Sequence, residues 1–311
     1  MARKYIEDRK KDVESEDLKK ATWVHLRADM QKMIEAFGNT NVKEVNFSQI
    51  RDFFRDLESA SKTKLNIRTN LHAFYRWLVS CKIITSSQVP EIPTFKVKMG
   101  YRKTVTKPDQ QSILEEIKRA AVACGNPRIY LAIKILATHV NLRPGDIFQV
   151  FEEDVDLKEG VIVINDHKTI EHTQMPKYAP VTQQDLELMR SLPRGFGKMH
   201  YFRFDKSMKG YPANSPFGKK LLRKWWKRAC EKLEIEGVGL YGGTRHSTAR
   251  HLRKSKTVDE VKRLVGDRTN EAFNRYLEVD FAELREGAEA AEIIKKPANH
   301  REKNRVEKLR H

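Results

Sequence analysis

Residues 141–165 read NLRPGDIFQVFEEDVDLKEGVIVIN. Arg143 stands directly before Pro144-Gly145, and a residue before proline is pushed out of the helical region, so the chain must turn here. Asp146 follows Arg143 by three positions. Further on, Glu159-Gly160 is a turn signal and residues 161–164, VIVI, are a short apolar run with strand character. A second turn leads into residues 175–181, MPKYAPV. The pattern predicts a small antiparallel sheet inserted among helices.

Helical patterns lie on both sides. Upstream, a helix over about residues 109–124 precedes a more apolar one over residues 129–138. Downstream, Leu221, Leu222, Trp225, Trp226, Ala229 and Leu233 form a wide apolar stripe, and both tryptophans read as core rather than as base-stacking platforms. Val258, Val261, Leu264 and Val265 mark another helix. Nearer the start, Met30, Met33, Ile34 and Phe37 stand at helical spacing, as do Ile50, Phe53, Phe54 and Leu57, with Ser48 as the expected N-cap. A third helix, over about residues 64–78, carries Leu71, Phe74 and Leu78 on one face, with Lys62, Lys64, Arg68 and Arg76 around it. These helices make a small bundle ending near Ile84. The stretch SSQVPEIPTFKVKMGYRKTVTKP, with three prolines, reads as a linker. The expected division is a mobile charged leader (1–21), a helical bundle (22–98), a larger domain (99–285) and a polar, basic tail (286–311).

The chain has 311 residues with 60 Lys and Arg against 42 Asp and Glu, a net charge of +18. Its pI is about 9.7. Such a chain attracts polyanions, of which nucleic acid is the commonest, because every neutralised phosphate releases counterions. No run approaches the roughly 18 apolar residues of a membrane span, and the first residues lack the apolar core of a secretory signal. Cys81, Cys124 and Cys230 are odd in number and far apart, so neither a disulfide scaffold nor a zinc site is expected. Cys81 and Cys230 read as core thiols, and a reducing cytoplasm is the expected compartment. There is no Walker-type loop, no Gly-rich dinucleotide fingerprint and no clustered set of metal ligands, so neither cofactor nor metal is expected.

Four residues stand out in short segments of their own: Arg143 in NLRPGDI, Lys168 in HKT, Arg245 in YGGTRHS and Tyr276 in NRYLEV. Taken singly each is ordinary: a solvated helix-end charge, an exposed hairpin lysine, a packing tyrosine. Their order resembles the catalytic domain of the tyrosine recombinases, the lambda-type phage integrases and their relatives. Asp154-Val155-Asp156-Leu157, then Gly160 and Ile162, fit that family's strand pair. Lys168 fits the lysine of the next hairpin, Arg245-His246 fits the second arginine, and Val265-Gly266-Asp267 precedes Tyr276 by the family's spacing. The bundle, especially LNIRTNLHAFYRWLVSCKII, resembles the helical core-binding domain. The resemblance covers roughly residues 22–280. No one motif is specific; the ordered set is.

The resemblance implies a mainly α protein with a small antiparallel sheet, a core-binding bundle and a mixed α/β catalytic domain. It implies a site-specific recombinase or integrase that cleaves duplex DNA through a 3′-phosphotyrosyl intermediate. Arg143 and Arg245 would bind the non-bridging oxygens, Tyr276 would be the nucleophile, and Lys168 would protonate the leaving 5′-oxygen, with Lys177 as the other lysine in register. The implied partners are double-stranded DNA, three further copies in a tetramer, and accessory DNA-bending or directionality proteins, in a prokaryotic cell or its phage or mobile element. Residues 281–311 are either a segment that docks on a neighbouring copy or a solvated tail. The leader reads as too short for a separate arm-binding domain.

Two positions depart from the pattern. Gly242 stands where the family has histidine, and Asp267 where it has histidine or tryptophan. Glycine has no side-chain proton to give, and a carboxylate at 267 hydrogen-bonds a phosphate only when protonated. His246 or Tyr241 would have to compensate. A histidine placed at 242 is expected to raise cleavage unless the backbone there has positive φ. Three rivals therefore stand beside the recombinase: a DNA-binding relative that has lost turnover, a type IB topoisomerase, and a plain helix-turn-helix regulator. The last accounts for neither the hairpin lysine nor the late tyrosine.

Overall fold

The computed structural model describes residues 1–97, 100, 102–165 and 175–266, together with Arg285 and Ala288. The chain divides into two compact units, Met1–Met99 and Gly100–His311. Lys168, Asp267 and Tyr276 lie outside the described residues, as does the tail apart from Ala288.

The first unit is a four-helix bundle: α1 (Ala2–Glu14), α2 (Lys20–Phe37), α3 (Phe47–Asp56) and α4 (Ser61–Ser80). The expected mobile leader is instead largely helix. Tyr5 and Ile6 are buried, and the Tyr5 ring packs 5.5 Å from Phe74 and 5.3 Å from Trp77. The Trp23 indole donates to the Ile6 carbonyl at 3.1 Å, and that of Trp77 to Asp8 at 2.8 Å. The charges of α1 face solvent while one thin apolar edge closes the bundle. The N-cap of α3 is Asn46 rather than Ser48: its side chain accepts from the Gln49 N–H and the Gln49 side chain returns the bond, a reciprocal capping box. Cys81, expected in the core, is exposed at the end of α4.

In the second unit α5 (Lys107–Ala123) lays Ile113, Ile117 and Ala121 against α6 (Arg128–Thr138), whose residues from Arg128 to Ala137 are buried except Lys134. After a short helix, α7 (Pro144–Ile147), comes an antiparallel sheet in the order β1 (Val155–Asp156), β2 (Val161–Ile164), β3 (Lys177–Pro180). Then follow α8 (Gln183–Arg190), α9 (Leu221–Lys232), a π-helical turn (Gly242–His246), α10 (Ser247–Arg253) and α11 (Val258–Val265). Trp225, Trp226 and Cys230 of α9 belong to the main core.

A buried ionic network joins the sheet side of this unit to the loops beyond α8. Arg128 and Arg203 are 1% and 2% exposed, and Glu152 is 2% exposed. Arg203 Nη1 lies 2.5 Å from Glu152 Oε1 and also donates to the His200 carbonyl. Arg128 pairs with Asp205 and donates to the Pro193 carbonyl at 2.6 Å. Arg194 reaches Glu152 from the surface at 3.3 Å. Burial holds Arg128 down at about 10 and pushes the neighbouring Tyr201 hydroxyl up to about 12.

Among the described residues no helix is long and apolar enough to cross a membrane. Among them, too, no group of three or more His, Cys, Asp or Glu is placed to hold a metal ion.

Candidate active site

Arg143 is set by its local sequence. Pro144 at the first position of α7 forces Arg143 into an extended conformation, φ −118° and ψ 155°. The Asp146 carboxylate turns back to accept the Arg143 backbone N–H at 3.0 Å. Asp146 is 3% exposed, and the same Oδ2 accepts from Lys177 Nζ at 2.8 Å.

Lys177 comes from β3, and the register explains its direction. Ile164 pairs with Lys177 and Ile162 with Ala179. Alternation then puts Lys177 on the face shared by Ile162, Ile164 and Ala179, all buried. Its side chain therefore runs inward, half-buried, and also donates to the Asn141 carbonyl at 3.0 Å. Burial pulls the Lys177 ammonium below its ordinary value, Asp146 pulls it back, and Arg143 and Arg245 push it down further. Both arginines thus lie within electrostatic reach of one lysine, although they come from distant parts of the chain.

Arg245 sits in the π-helical turn. Side chains add hydrogen bonds to carbonyls in and before the turn: Thr244 donates to Leu240 O at 2.6 Å, Ser247 to Gly242 O at 2.9 Å, and Gln110 to Gly243 O at 2.7 Å. Arg245 is 1% exposed. Its Nη2 donates to the Val265 carbonyl at 3.1 Å, and its guanidinium carbon lies 5.9 Å from the centre of the Tyr241 ring. The ring of His246, also buried, meets Tyr241 edge-on at 5.2 Å. Arg143 and Arg245 are therefore both near Lys177, and Arg245 is buried.

The two glycines of the turn are steric requirements. A Cβ on Gly243 would fall inside the Trp226 ring. A Cβ on Gly242 would meet the Lys103 carbonyl oxygen, a backbone atom that cannot swing away. Gly242 is not among the positive-φ glycines, so the obstacle to a side chain there is space rather than backbone conformation. Gly242→His is accordingly expected to add no cleavage activity and to cost about 1–3 kcal/mol of stability through overpacking. Thermal denaturation alongside a cleavage assay checks this; a variant as stable as the parent would show that residues 102–104 relocate easily.

From sequence alone Lys177 ranks behind Lys168, because hairpin register is read only to within several residues. The signal that finds it is the strand alternation from Ile164 to Ala179. No local pattern marks Gln110 as a clamp on the arginine turn; only tertiary packing places it there.

Comparison with family models gave no match, and comparison with curated proteins also gave none. Solved structures do match. The chain is similar to a lambda integrase dimer bound to a COC′ core site, with 16% identity, 89% of this chain and 79% of that one covered, and a TM-score of 0.66. It is similar to XerH site-specific recombinase bound to a palindromic difH substrate, with 16% identity, 86% and 79% covered, and a TM-score of 0.65. It is also similar to the Tn1549 transposon integrase in complex with transposon right end DNA, with 16% identity, 90% and 96% covered, and a TM-score of 0.62.

Proposed function

From a fold shared with the tyrosine recombinases, we propose that this chain is a site-specific recombinase that cleaves and rejoins duplex DNA through Tyr276. The observation that supports this reading is the common electrostatic neighbourhood of Arg143, Arg245 and Lys177. A phosphodiester in its pentacoordinate transition state gathers charge on its non-bridging oxygens, and two arginine forks meet that charge. The Tyr276 hydroxyl gives its proton to a neighbouring base as its oxygen bonds to phosphorus, the bond to the 5′-oxygen breaks, and Lys168 gives that oxygen a proton. The 3′-phosphotyrosyl ester keeps the bond energy, so rejoining is the same step run backwards. Exposed Arg223, Lys224, Lys227 and Arg228 on α9 add cationic surface for the duplex backbone. Assembly as a tetramer on paired sites belongs to the same proposal.

Lys177 has a different part. It is pinned between Asp146 and the Asn141 carbonyl, so it holds positive charge beside the phosphate and ties β3 to Arg143. That makes it a positioning residue.

The test is a nicked suicide duplex that traps the covalent adduct. Lys168→Ala should cleave the ordinary substrate about 10²–10⁴-fold more slowly. It should regain most of the rate when the bridging 5′-oxygen is replaced by sulfur, a leaving group that needs no proton. Lys177→Ala should be slow on both substrates. No adduct from the unaltered chain on any duplex it binds would remove the catalytic reading. The DNA-binding relative without turnover would then stand, a reading favoured by the Lys103 carbonyl that fills the space beside Gly242.

A further inference from the structure

The second unit has another cationic groove, of about 820 Å³, whose lining includes none of Arg143, Lys177 and Arg245. One wall is the segment entering the unit, Thr104 to Pro108. The other carries Arg250, His251, Lys254 and Ser255, from α10 and the turn after it. Two hydrogen bonds hold the walls together: Arg250 Nη1 donates to Thr104 Oγ1 at 3.2 Å, and His251 Nε2 bonds the Val105 carbonyl at 3.0 Å. A carbonyl only accepts, so Nε2 carries the proton and Nδ1 is left as the nitrogen that titrates.

Four basic groups thus meet from two distant segments. Lys107 and Lys254 are exposed, and neither has a carboxylate partner among the described residues. The nearest carboxylate along the chain, Asp109, accepts the Thr106 hydroxyl at 2.7 Å and does not line the groove. Burial lowers the His251 pKa, the Val105 carbonyl raises it, and Lys254, Lys107 and Arg250 lower it again. Among the described residues the charged groups acting on this imidazole are cations, and an anion in the groove would relieve their mutual repulsion. Thr106, Thr248 and Ser255 supply hydroxyls, while Pro108 and Leu252 offer apolar surface suited to a sugar.

We propose that this groove binds a backbone phosphate of duplex DNA, at a position separate from the phosphate held by Arg143 and Arg245. The inference rests on the DNA-binding reading and adds to it. A phosphate bound here clamps residues 104–108 against α10 and draws a proton onto His251. The affinity it contributes is largest when His251 is protonated and is lost as pH rises through the pKa of the bound state.

The experiment measures duplex binding by the full chain by anisotropy, across a salt series and from about pH 8 to pH 5. Replacing Lys107 and Lys254 by glutamine should reduce the slope of log affinity against log salt by about 0.9, one phosphate contact. His251→Gln keeps a donor for the Val105 carbonyl and should flatten the rise in affinity toward low pH. Unchanged slope in the lysine variant, or an unchanged pH profile in His251→Gln, overturns the groove while DNA binding by the parent chain stands. A parent chain that binds no duplex at low salt overturns both readings at once.

Discussion

Tyr276→Phe is expected to bind duplex DNA as the parent does and to form no covalent adduct. The change removes one oxygen and keeps the aromatic ring, so fold and affinity should hold. The rate should fall by at least roughly three orders of magnitude, because removing a nucleophile removes the path and not only part of the stabilisation. Denaturing gels of the suicide-substrate reaction give the answer directly, with anisotropy showing that the substrate is bound. Arg245→Ala makes the contrast: it should lose cleavage and also weaken binding, since a guanidinium fork to phosphate goes with it. An adduct that still forms with Tyr276→Phe means that a different residue attacks phosphorus.

The largest effect on stability is expected at Glu152. Its Oε1 lies 2.5 Å from Arg203 and 3.8 Å from Arg128, and its Oε2 3.3 Å from Arg194. Removing one partner of a buried ion pair leaves a charge in a medium that solvates it poorly, at about 3–5 kcal/mol. Glu152→Ala leaves Asp205 as the one carboxylate for Arg128 and none for Arg203 among the described residues. For a unit of this size the melting midpoint should fall by roughly 10 °C. The loss should appear in the transition of the second unit and leave that of the helical bundle unmoved. A midpoint within experimental scatter of the parent would mean that the network relaxes to admit water. Replacing Glu152, Asp205, Arg128 and Arg203 together by apolar residues of similar volume should recover much of the loss.

The long helices were legible because their apolar residues repeat at helical spacing, as Met30, Met33, Ile34 and Phe37 do in α2. The strand run VIVI was legible because Gly160 precedes it and Asp154-Val155-Asp156-Leu157 has an ordered place beside it. Helix α1 was not, since its helical apolar residues are few among many charges and become buried only against α2 and α4. Asn46 was overlooked because Ser48 is also a good cap; the glutamine three residues after Asn46 decides between them. Arg203 interrupts the apolar run from Tyr201 to Phe204 and Arg128 stands at the head of the run from Ile129, but nothing local marks Glu152 as their partner. For the candidate site, the arginines and Asp146 could be picked out from order along the chain. The inward course of Lys177 depends on strand pairing, and the π-helical turn depends on Trp226, Gln110 and Lys103 arriving from elsewhere. Nothing local in GGTRH announces the ring against Gly243 or the carbonyl against Gly242.

That carbonyl also bears on how this chain can change by descent. The space where a side chain at 242 would begin is filled by main chain, which no single substitution at Lys103 removes. A mutation from glycine to histidine at 242 arrives with a penalty and no benefit until residues 102–104 have taken another course. A new course for that segment, taken first, would leave Gly242 facing an empty space. Each change is unfavourable without the other, so neither has a downhill first step. The arrangement acts as an evolutionary ratchet: while main chain fills this space, a proton donor is expected to arise at some other position rather than by substitution at Gly242.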